Sequence, residues 1–211
     1  FKRLSIMFVM IFTIMLGCST SVFATENTYT DNLIPIMTSS TSPSGQVTSS
    51  GVYSDYWQDF YAFDPFVGSW AGTTVNYGWI QYQFPLGNPK KITKYTIKNV
   101  TGDNRVRYPR SFSLKASNDN FDKESVTIDT QTNLVFTDGE KKTFICSNPP
   151  TVPYLCYRIV ITDVGDDGTY EPAIDEIEMM ESVQDSTTSI SLDKSTIDLT
   201  VNNSKKLTAT T

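Results

Sequence analysis

Short runs of alternating apolar and polar residues, separated by turn residues, limit the fold of this chain more than any other feature. The clearest run, 79–84, predicts a strand that buries Ile80, Tyr82 and Phe84. Similar runs give further inward rows: Thr93, Tyr95 and Ile97; Phe112, Leu114 and Ala116; Val126, Ile128 and Phe144; and the segments 157–162 and 173–179. Gly, Pro, Asn and Asp separate the runs, and we find no apolar stripe with a 3.6-residue period. The sequence therefore predicts an all-β sandwich or barrel.

The start of the chain has the composition of a secretory signal peptide. Lys2 and Arg3 precede an apolar run over 4–16, and Val22-Phe23-Ala24 offers a cleavage site. The run suits a signal segment and is short for a bilayer span. We expect residues 1–24 to direct export and the remaining chain to be secreted or displayed on a cell surface, without membrane insertion.

Cys18 leaves an alternative open for this segment. Met15-Leu16-Gly17-Cys18 resembles a lipobox, in which the cysteine is lipidated and kept as an anchor. Met15 departs from the usual leucine, and the site at Ala24 favours the ordinary signal peptide.

Composition excludes several function classes. The chain has no histidine, which removes Ser–His and Cys–His catalysis and histidine-ligated zinc. Its net charge of −6 opposes a surface that binds nucleic acid or anionic lipid, because both need clustered positive charge. Neutral ligands such as sugars are favoured by elimination.

Two cysteines, Cys146 and Cys156, remain after signal removal. An even pair in an exported protein is compatible with one disulfide across a proline-containing loop. Two buried free thiols at strand ends are the equal alternative.

The last part of the chain has a different repeat. Residues 189–201 alternate with Ile197, Leu199 and Val201 on one face, and a polar turn over 202–206 leads into a second short run. This sequence resembles the first residues of a group 2 bacterial Ig-like domain. The resemblance implies the first strands of an Ig-like β-sandwich over 189–211, and we expect the protein to continue beyond them.

Motifs in the middle of the chain resemble discoidin (coagulation factor 5/8 type C) domains. They are Met37-Thr38-Ser39, Pro43-Ser44-Gly45, Ala62-Phe63-Asp64, the 78–84 run, 90–97, Tyr108-Pro109-Arg110-Ser111-Phe112, Ala116-Ser117-Asn118-Asp119, Tyr157-Arg158-Ile159 and 171–178. The resemblance covers 31–182, with linkers over 25–30 and 183–188. It implies an eight-stranded, galactose-binding-like jelly roll with ligand loops at one end and both termini at the other. The bacterial branch closest to it is similar to family 32 carbohydrate-binding modules.

The resemblance also implies a structural calcium site beside the ligand loops. The matching positions are Asp64, Ser69 and Glu176, whose oxygens are suitable Ca²⁺ ligands. The sequence departs from the family pattern here, because Pro65 replaces a glycine and Phe66 takes the place of an Asn or Asp ligand. The alternative is a loop in which Asp64 caps a turn and Phe66 packs.

Sugar sites combine an aromatic platform with a few planar hydrogen-bonding groups. Tyr56 and Trp57 lie at the apex of an aromatic-rich loop, although Trp57 equally suits a plug at the end of the sandwich. By resemblance, Tyr170 matches an aromatic at the tip of the last loop. The polar candidates are Arg107, with Arg105 in reserve, and Asp166; a surface ion pair is the alternative for each arginine and a turn for Asp166.

These residues predict a non-catalytic glycan-binding module, monomeric within a longer chain, which attaches a bacterial protein to glycans. The alternatives are an architectural or protein-binding surface domain, or the appendage of a glycoside hydrolase. Asp64 and Glu176 form a conceivable carboxylate pair, but nothing in the sequence divides acid and base roles between them.

Overall fold

Strands make up nearly all the regular structure of the chain in a computed structural model, which describes residues 28–103, 106–165 and 167–183 and the backbone of 191–192 and 209–210. The strands are β1 (Thr28–Tyr29), β2 (Gln46–Ser49), β3 (Trp70–Ala71), β4 (Gly78–Gln83), β5 (Ile92–Lys98), β6 (Pro109–Ser117), β7 (Val126–Gln131), β8 (Lys141–Ile145), β9 (Cys156–Val164), β10 (Ala173–Ile174), β11 (Glu176–Val183), β12 (Ser191–Leu192) and β13 (Ala209–Thr210). One 3₁₀ helix covers Asp59–Phe63. The all-β prediction is confirmed.

Two antiparallel sheets form the sandwich. One has the strand order β2-β4-β9-β6-β7 and the other β1-β11-β5-β8. These sheets hold nine strands among the described residues, against the eight expected, because the two-residue strand β1 pairs with the end of β11. A further short pair, β3 with β10, lies between the loops at one end.

The predicted inward rows supply most of the core. Ile80, Tyr82, Phe84 and the rows of β5, β6 and β9 are buried in one cluster with Trp70. Two predictions were wrong. Ile92 is buried in place of Thr93, because the β5–β11 register shifts between Met180 and Glu181. Val126, at the first position of β7, is exposed.

A buried carboxylate lies inside this apolar core. Tyr95 Oη donates to Asp129 Oδ2 at 2.6 Å, Gln131 Nε2 donates to the same oxygen at 2.9 Å, and Ser147 Oγ donates to Oδ1 at 2.8 Å. Burial alone would raise the pKa of Asp129, but these hydrogen bonds outweigh it and hold the pKa below its ordinary value. Asp129 thereby ties β7 to β5 and to the segment after β8.

Strand directions decide where the loops lie. Thr28 pairs with Val183, so the two ends of the sandwich domain meet at one pole. β11 runs about 26 Å from there back to Glu176, at roughly 3.3 Å per residue. The described residues of the loops 50–57, 72–77, 99–108 and 165–172 lie at that far pole, because β2, β5 and β9 end there and β4 and β6 begin there.

The cysteine pair follows the second alternative. Cys146 and Cys156 are both free and buried. Cys146 hydrogen-bonds beside β5, whereas Cys156 begins β9 in the other sheet, so the two thiols belong to opposite layers. Burial raises the pKa of Cys146 to about 12, which leaves its thiol protonated.

Several sequence predictions lie outside the described residues. They are the signal peptide, the lipobox cysteine, half of the linker over 25–30, nearly all of the linker over 183–188 and nearly all of the Ig-like segment; in that segment only the pairing of β12 with β13 is described. Within the described ranges, no helix has the length and apolar character needed to cross a bilayer.

We predict that Tyr95→Phe lowers the free energy of unfolding by about 2 kcal/mol at neutral pH, because it removes a buried hydrogen bond to a charged group. The folded-state pKa of Asp129 is depressed, so its contribution is present above its ordinary value of 3.8 and is lost as pH falls through the lower folded-state value. Urea unfolding between pH 7 and pH 2 measures both effects. The variant should lose less stability on acidification than the wild type.

Tyr154→Phe is the matched control, since the Tyr154 hydroxyl makes no hydrogen bond to the described part of the chain. It should change stability by less than about 0.5 kcal/mol. Equal losses in the two variants would contradict a special role for the Tyr95–Asp129 bond.

Candidate functional site

The loops at the pole away from the chain ends form what we call the loop-end surface, made of the described residues of 50–57, 72–77, 99–108 and 165–172. Backbone hydrogen bonds fix the first loop, since Tyr53 N donates to Ala71 O and Ala71 N donates to Trp57 O. Strand β3 therefore supports the whole aromatic-rich segment from below.

Asn76 joins the second loop to the last one. Its backbone N–H donates to Tyr170 O at 2.9 Å, and its Oδ1 accepts from Val164 N at 2.7 Å. Asn76 has a positive φ of 58°, a conformation that asparagine tolerates better than most residues. Gly168 approaches so closely that a Cβ there would lie 2.9 Å from the Asn76 amide. The two loops thus form one rigid support for Tyr170.

Arg107 lies at the centre of the loop-end surface. Its guanidinium carbon is 5.2 Å from the Tyr53 ring centroid and 5.3 Å from that of Trp57. Asp103 Oδ2 lies 3.5 Å from Nε, and Glu171 Oε2 lies 3.6 Å from Nη2. Three of the four loops therefore converge on one cation through ring faces and ion pairs.

Burial changes the role predicted for Arg107. The residue is 2% exposed, and neither Nε nor Nη1 makes a hydrogen bond within the described residues. A guanidinium at this depth does not reach the hydroxyls of a ligand on the surface. Arg107 is instead a positioning residue, which holds Tyr53 and Trp57 in place.

Trp57 has the packing role that the sequence left open. Its ring is partly buried against Ala71, Val100 and Ala173, and Arg107 lies near its face. Trp57 therefore plugs this end of the sandwich, and only part of its ring faces solvent.

The exposed aromatics are the tyrosines. Tyr56 is 84% exposed, and Tyr53 is 48% exposed although its ring lies near Arg107. Tyr170 is partly exposed on the loop that Asn76 supports. Val75 and Tyr77, on the second loop, are also exposed and add apolar area. Together these side chains form a partly apolar surface rimmed by Asp55 and Asp167, both exposed.

Two predicted ligand residues, Arg105 and Asp166, lie outside the described residues. Asp167, which follows Asp166 in the sequence, accepts a hydrogen bond from the Thr169 N–H at 3.0 Å, and the hydrogen bonds from Thr169 lower the pKa of Asp167. Asp167 and Gly168 thus lie in a turn.

The three predicted calcium ligands do not fit a calcium site in this arrangement. Asp64 Oδ1 accepts from Phe66 N at 2.9 Å, as in the turn-cap alternative, while Phe66 itself is exposed rather than packed. Ser69 Oγ donates to Asp175 Oδ1 at 2.8 Å. Glu176 Oε2 lies 2.6 Å from the ammonium of Lys141, so a lysine already neutralises it. No cluster of three metal-ligating side chains occurs among the described residues.

Sequence reasoning missed three parts of the loop-end surface. Tyr53, Asp103 and Glu171 surround Arg107, yet they are 50 to 118 positions apart in sequence or fall in different loops. The sequence indicated two of them only by their closeness to predicted ligand residues. Glu171 directly follows Tyr170, and Asp103 lies four positions before Arg107. Nothing in a linear sequence indicates that Tyr53 stacks on Arg107.

No protein-family model matches the chain, and no curated protein matches its sequence. Solved structures do match its fold. Chitosan-binding module 1 from a Paenibacillus sp. IK-5 chitosanase/glucanase is 19% identical, with a TM-score of 0.53 over 71% of this chain and 98% of that one. An F5/8 type C domain from Bacteroides fragilis is 19% identical, with a TM-score of 0.51 over 65% and 91%.

A third match is CpGH89CBM32-5 from Clostridium perfringens, solved in complex with GalNAc-β-1,3-galactose. It is 17% identical, with a TM-score of 0.52 over 64% of this chain and 94% of that one. At these identities the likenesses establish the fold alone. The described domain has the discoidin-like fold of F5/8 type C domains.

We predict that Arg107→Gln lowers the free energy of unfolding by about 3 kcal/mol, because it leaves two carboxylates without their buried cation. Arg110→Gln is the matched control. Arg110 pairs with Asp163 at 3.4 Å at the surface, where the loss should stay below about 1 kcal/mol. Thermal and urea unfolding measure the difference. If Arg107→Gln loses no more stability than Arg110→Gln, the positioning role of Arg107 is contradicted.

We also predict that EDTA leaves the thermal midpoint of the protein unchanged, since the carboxylate of Glu176 is already paired with the ammonium of Lys141. Scanning calorimetry with EDTA and with millimolar CaCl₂ measures this. A ligand that binds only the folded state raises the midpoint. A rise with CaCl₂ that EDTA reverses would show that calcium displaces Lys141.

Proposed function

We propose that this chain carries a non-catalytic glycan-binding module that attaches a bacterial protein to polysaccharide through the loop-end surface. The observation that carries the proposal is a set of tyrosines on loops held in place by Arg107 and Asn76, of which Tyr53 and Tyr56 are exposed and Tyr170 is partly exposed. Aromatic faces pack on the apolar C–H side of a pyranose, and hydroxyl groups nearby hydrogen-bond to the sugar.

Rigidity is the second support. Ligand binding costs less when the contact side chains are already ordered. Tyr53 is held by its backbone bond to β3 and by its ring contact with Arg107. The backbone of Tyr170 is fixed by Asn76. The surface is therefore formed before the ligand arrives.

The names of similar structures agree with this class of ligand. One is a chitosan-binding module, and another is in complex with GalNAc-β-1,3-galactose. Because the loops vary between such domains, these sugars indicate probes for this chain and not its ligand.

The carboxylates support a non-catalytic role. Asp64 accepts a backbone hydrogen bond, and Glu176 forms an ion pair with Lys141. Both carboxylates therefore already have partners within the fold, and neither contact gives one of them an acid role and the other a base role, which glycoside hydrolysis needs.

The expected setting is outside the cell. Residues 1–24 resemble a signal peptide, which supports export. The Ig-like sequence over 189–211 suggests a stalk that displays the module. An appendage to a glycoside hydrolase is the second candidate, which the Paenibacillus module favours because it derives from a chitosanase/glucanase. Single modules of this kind gain from repetition, since linked copies bind by avidity.

We predict that Tyr56→Ala weakens binding to the best glycan about tenfold or more. Burying a ring of this size contributes about 1.5–3 kcal/mol, and each 1.4 kcal/mol corresponds to about a tenfold change. A glycan array that includes chitosan oligosaccharides and GalNAc-β-1,3-galactose selects the probe, and calorimetry with the full chain measures the affinity. Tyr170→Ala should show a similar loss.

Leu86→Ala is the control, because Leu86 is 81% exposed but lies in the turn after β4, at the opposite pole. It should bind as the wild type does. A blank array, or equal losses at Tyr56 and Leu86, would contradict a loop-end glycan site and favour the architectural alternative.

A further inference from the structure

A second group of side chains with recognition chemistry lies on the outer face of the five-stranded sheet. Trp79 of β4 and Arg158 of β9 extend from this face, and Phe121 reaches over it from the β6–β7 loop. The guanidinium carbon of Arg158 is 4.0 Å from the Trp79 ring centroid and 4.1 Å from that of Phe121. Arg158 is therefore enclosed between two aromatic rings.

Hydrogen bonds fix the plane of this guanidinium. Gln81 Oε1 accepts from Arg158 Nε at 3.1 Å and from Nη2 at 2.8 Å. Gln81 is itself buried, and its Nε2 donates to Asn120 Oδ1 at 2.7 Å. The side chain of Arg158 thus loses little further freedom when it binds another group.

One edge of the guanidinium stays open. The two bonds to Gln81 use the Nε side, so Nη1 and the second N–H of Nη2 have no partner within the described residues. These two groups form the edge that binds carboxylates in a bidentate manner. No carboxylate of the described chain forms an ion pair with Arg158, although the whole protein has 23 acidic residues against 17 basic ones.

Lys115 adds a second cation on the same face of the sheet. It pairs directly with Arg158 in the β6–β9 register, so the two side chains lie on the same face. Lys115 also forms no ion pair within the described residues. An anion that contacts both side chains would therefore be attracted by two positive charges.

The loop that covers Arg158 is strained. Asn120 and Phe121 have consecutive positive φ values of 60° and 65°. Phenylalanine disfavours this conformation. In this conformation the Phe121 ring lies over Arg158.

A groove lined by hydroxyl groups continues from Lys115 across the same face. Ser113, Thr130 and Thr162 line it between β6, β7 and β9. Ser113 pairs with both Val160 and Thr130, in the row next to that of Lys115 and Arg158. Hydroxyl groups along the groove match the hydrogen-bonding groups of a sugar chain.

We propose that this sheet-face surface, made of Trp79, Ser113, Lys115, Phe121, Thr130 and Arg158, binds an acidic polysaccharide that carries uronic acid carboxylates. One carboxylate binds the open edge of Arg158 and the ammonium of Lys115, and the adjoining sugar lies in the hydroxyl-lined groove. The site shares no residue with the loop-end surface and does not depend on the proposed function there.

Galacturonate oligosaccharides are the probe, and carboxyl-reduced oligosaccharides of the same length are the neutral control. We expect the full chain to bind the acidic form, with affinity that falls as salt rises. Arg158→Gln and Lys115→Gln should each weaken binding about tenfold, since each removes a charge-assisted contact to the carboxylate. Lys94→Gln, which removes the same charge from the other sheet, should leave binding unchanged.

Lys115→Gln is the decisive variant, because Lys115 makes no side-chain contact that the fold needs, and its thermal midpoint should match the wild type. Tyr56→Ala should retain galacturonate binding, which separates this site from the loop-end surface. Three results would overturn the proposal: no binding of the acidic probe, equal binding of the carboxyl-reduced probe, or unchanged affinity in Lys115→Gln.

Discussion

The guanidinium of Arg107 is the contact on which the arrangement of the loop-end surface depends. Tyr53, Trp57, Asp103 and Glu171 come from three loops that share no strand, and each of them lies against this one cation. Because the group is buried, its attraction to rings and carboxylates is stronger than it would be in water. A change at Arg107 therefore alters the positions of Tyr53 and Trp57 without touching a ligand.

Two lysines likewise pair with carboxylates near the start of β11. Lys141 lies 2.6 Å from Glu176 and 3.2 Å from Glu178, and Lys98 lies 2.6 Å from Asp175. These contacts bind β11 to β5 and β8 where the acidic residues of β11 begin. The carboxylates at this end of β11 are therefore paired with lysines of the neighbouring strands.

Period-two alternation was enough to predict the fold, because burial on one face of a strand leaves a local signal. The inward rows of Ile80 and Phe112 followed from it directly. Thr93 was misplaced, since a register shift against β11 depends on the partner strand. The candidate site was predicted less well for the same reason: whether Arg107 is buried or exposed is decided by Tyr53 and Trp57, 54 and 50 positions earlier.

Two arginines of the described residues are enclosed by aromatic rings, and burial separates their roles. Around Arg107 two carboxylates supply the opposite charge, and its exposed fraction is 2%, so its charge is balanced within the protein. Around Arg158 a neutral amide takes the place of a carboxylate, which fixes the plane of the guanidinium but leaves its charge uncompensated. A partly exposed cation of this kind, next to Lys115, is stabilised most by an anion from outside. An arginine between aromatic rings therefore holds loops together at Arg107, whereas at Arg158 the same arrangement presents a cation to an anionic ligand.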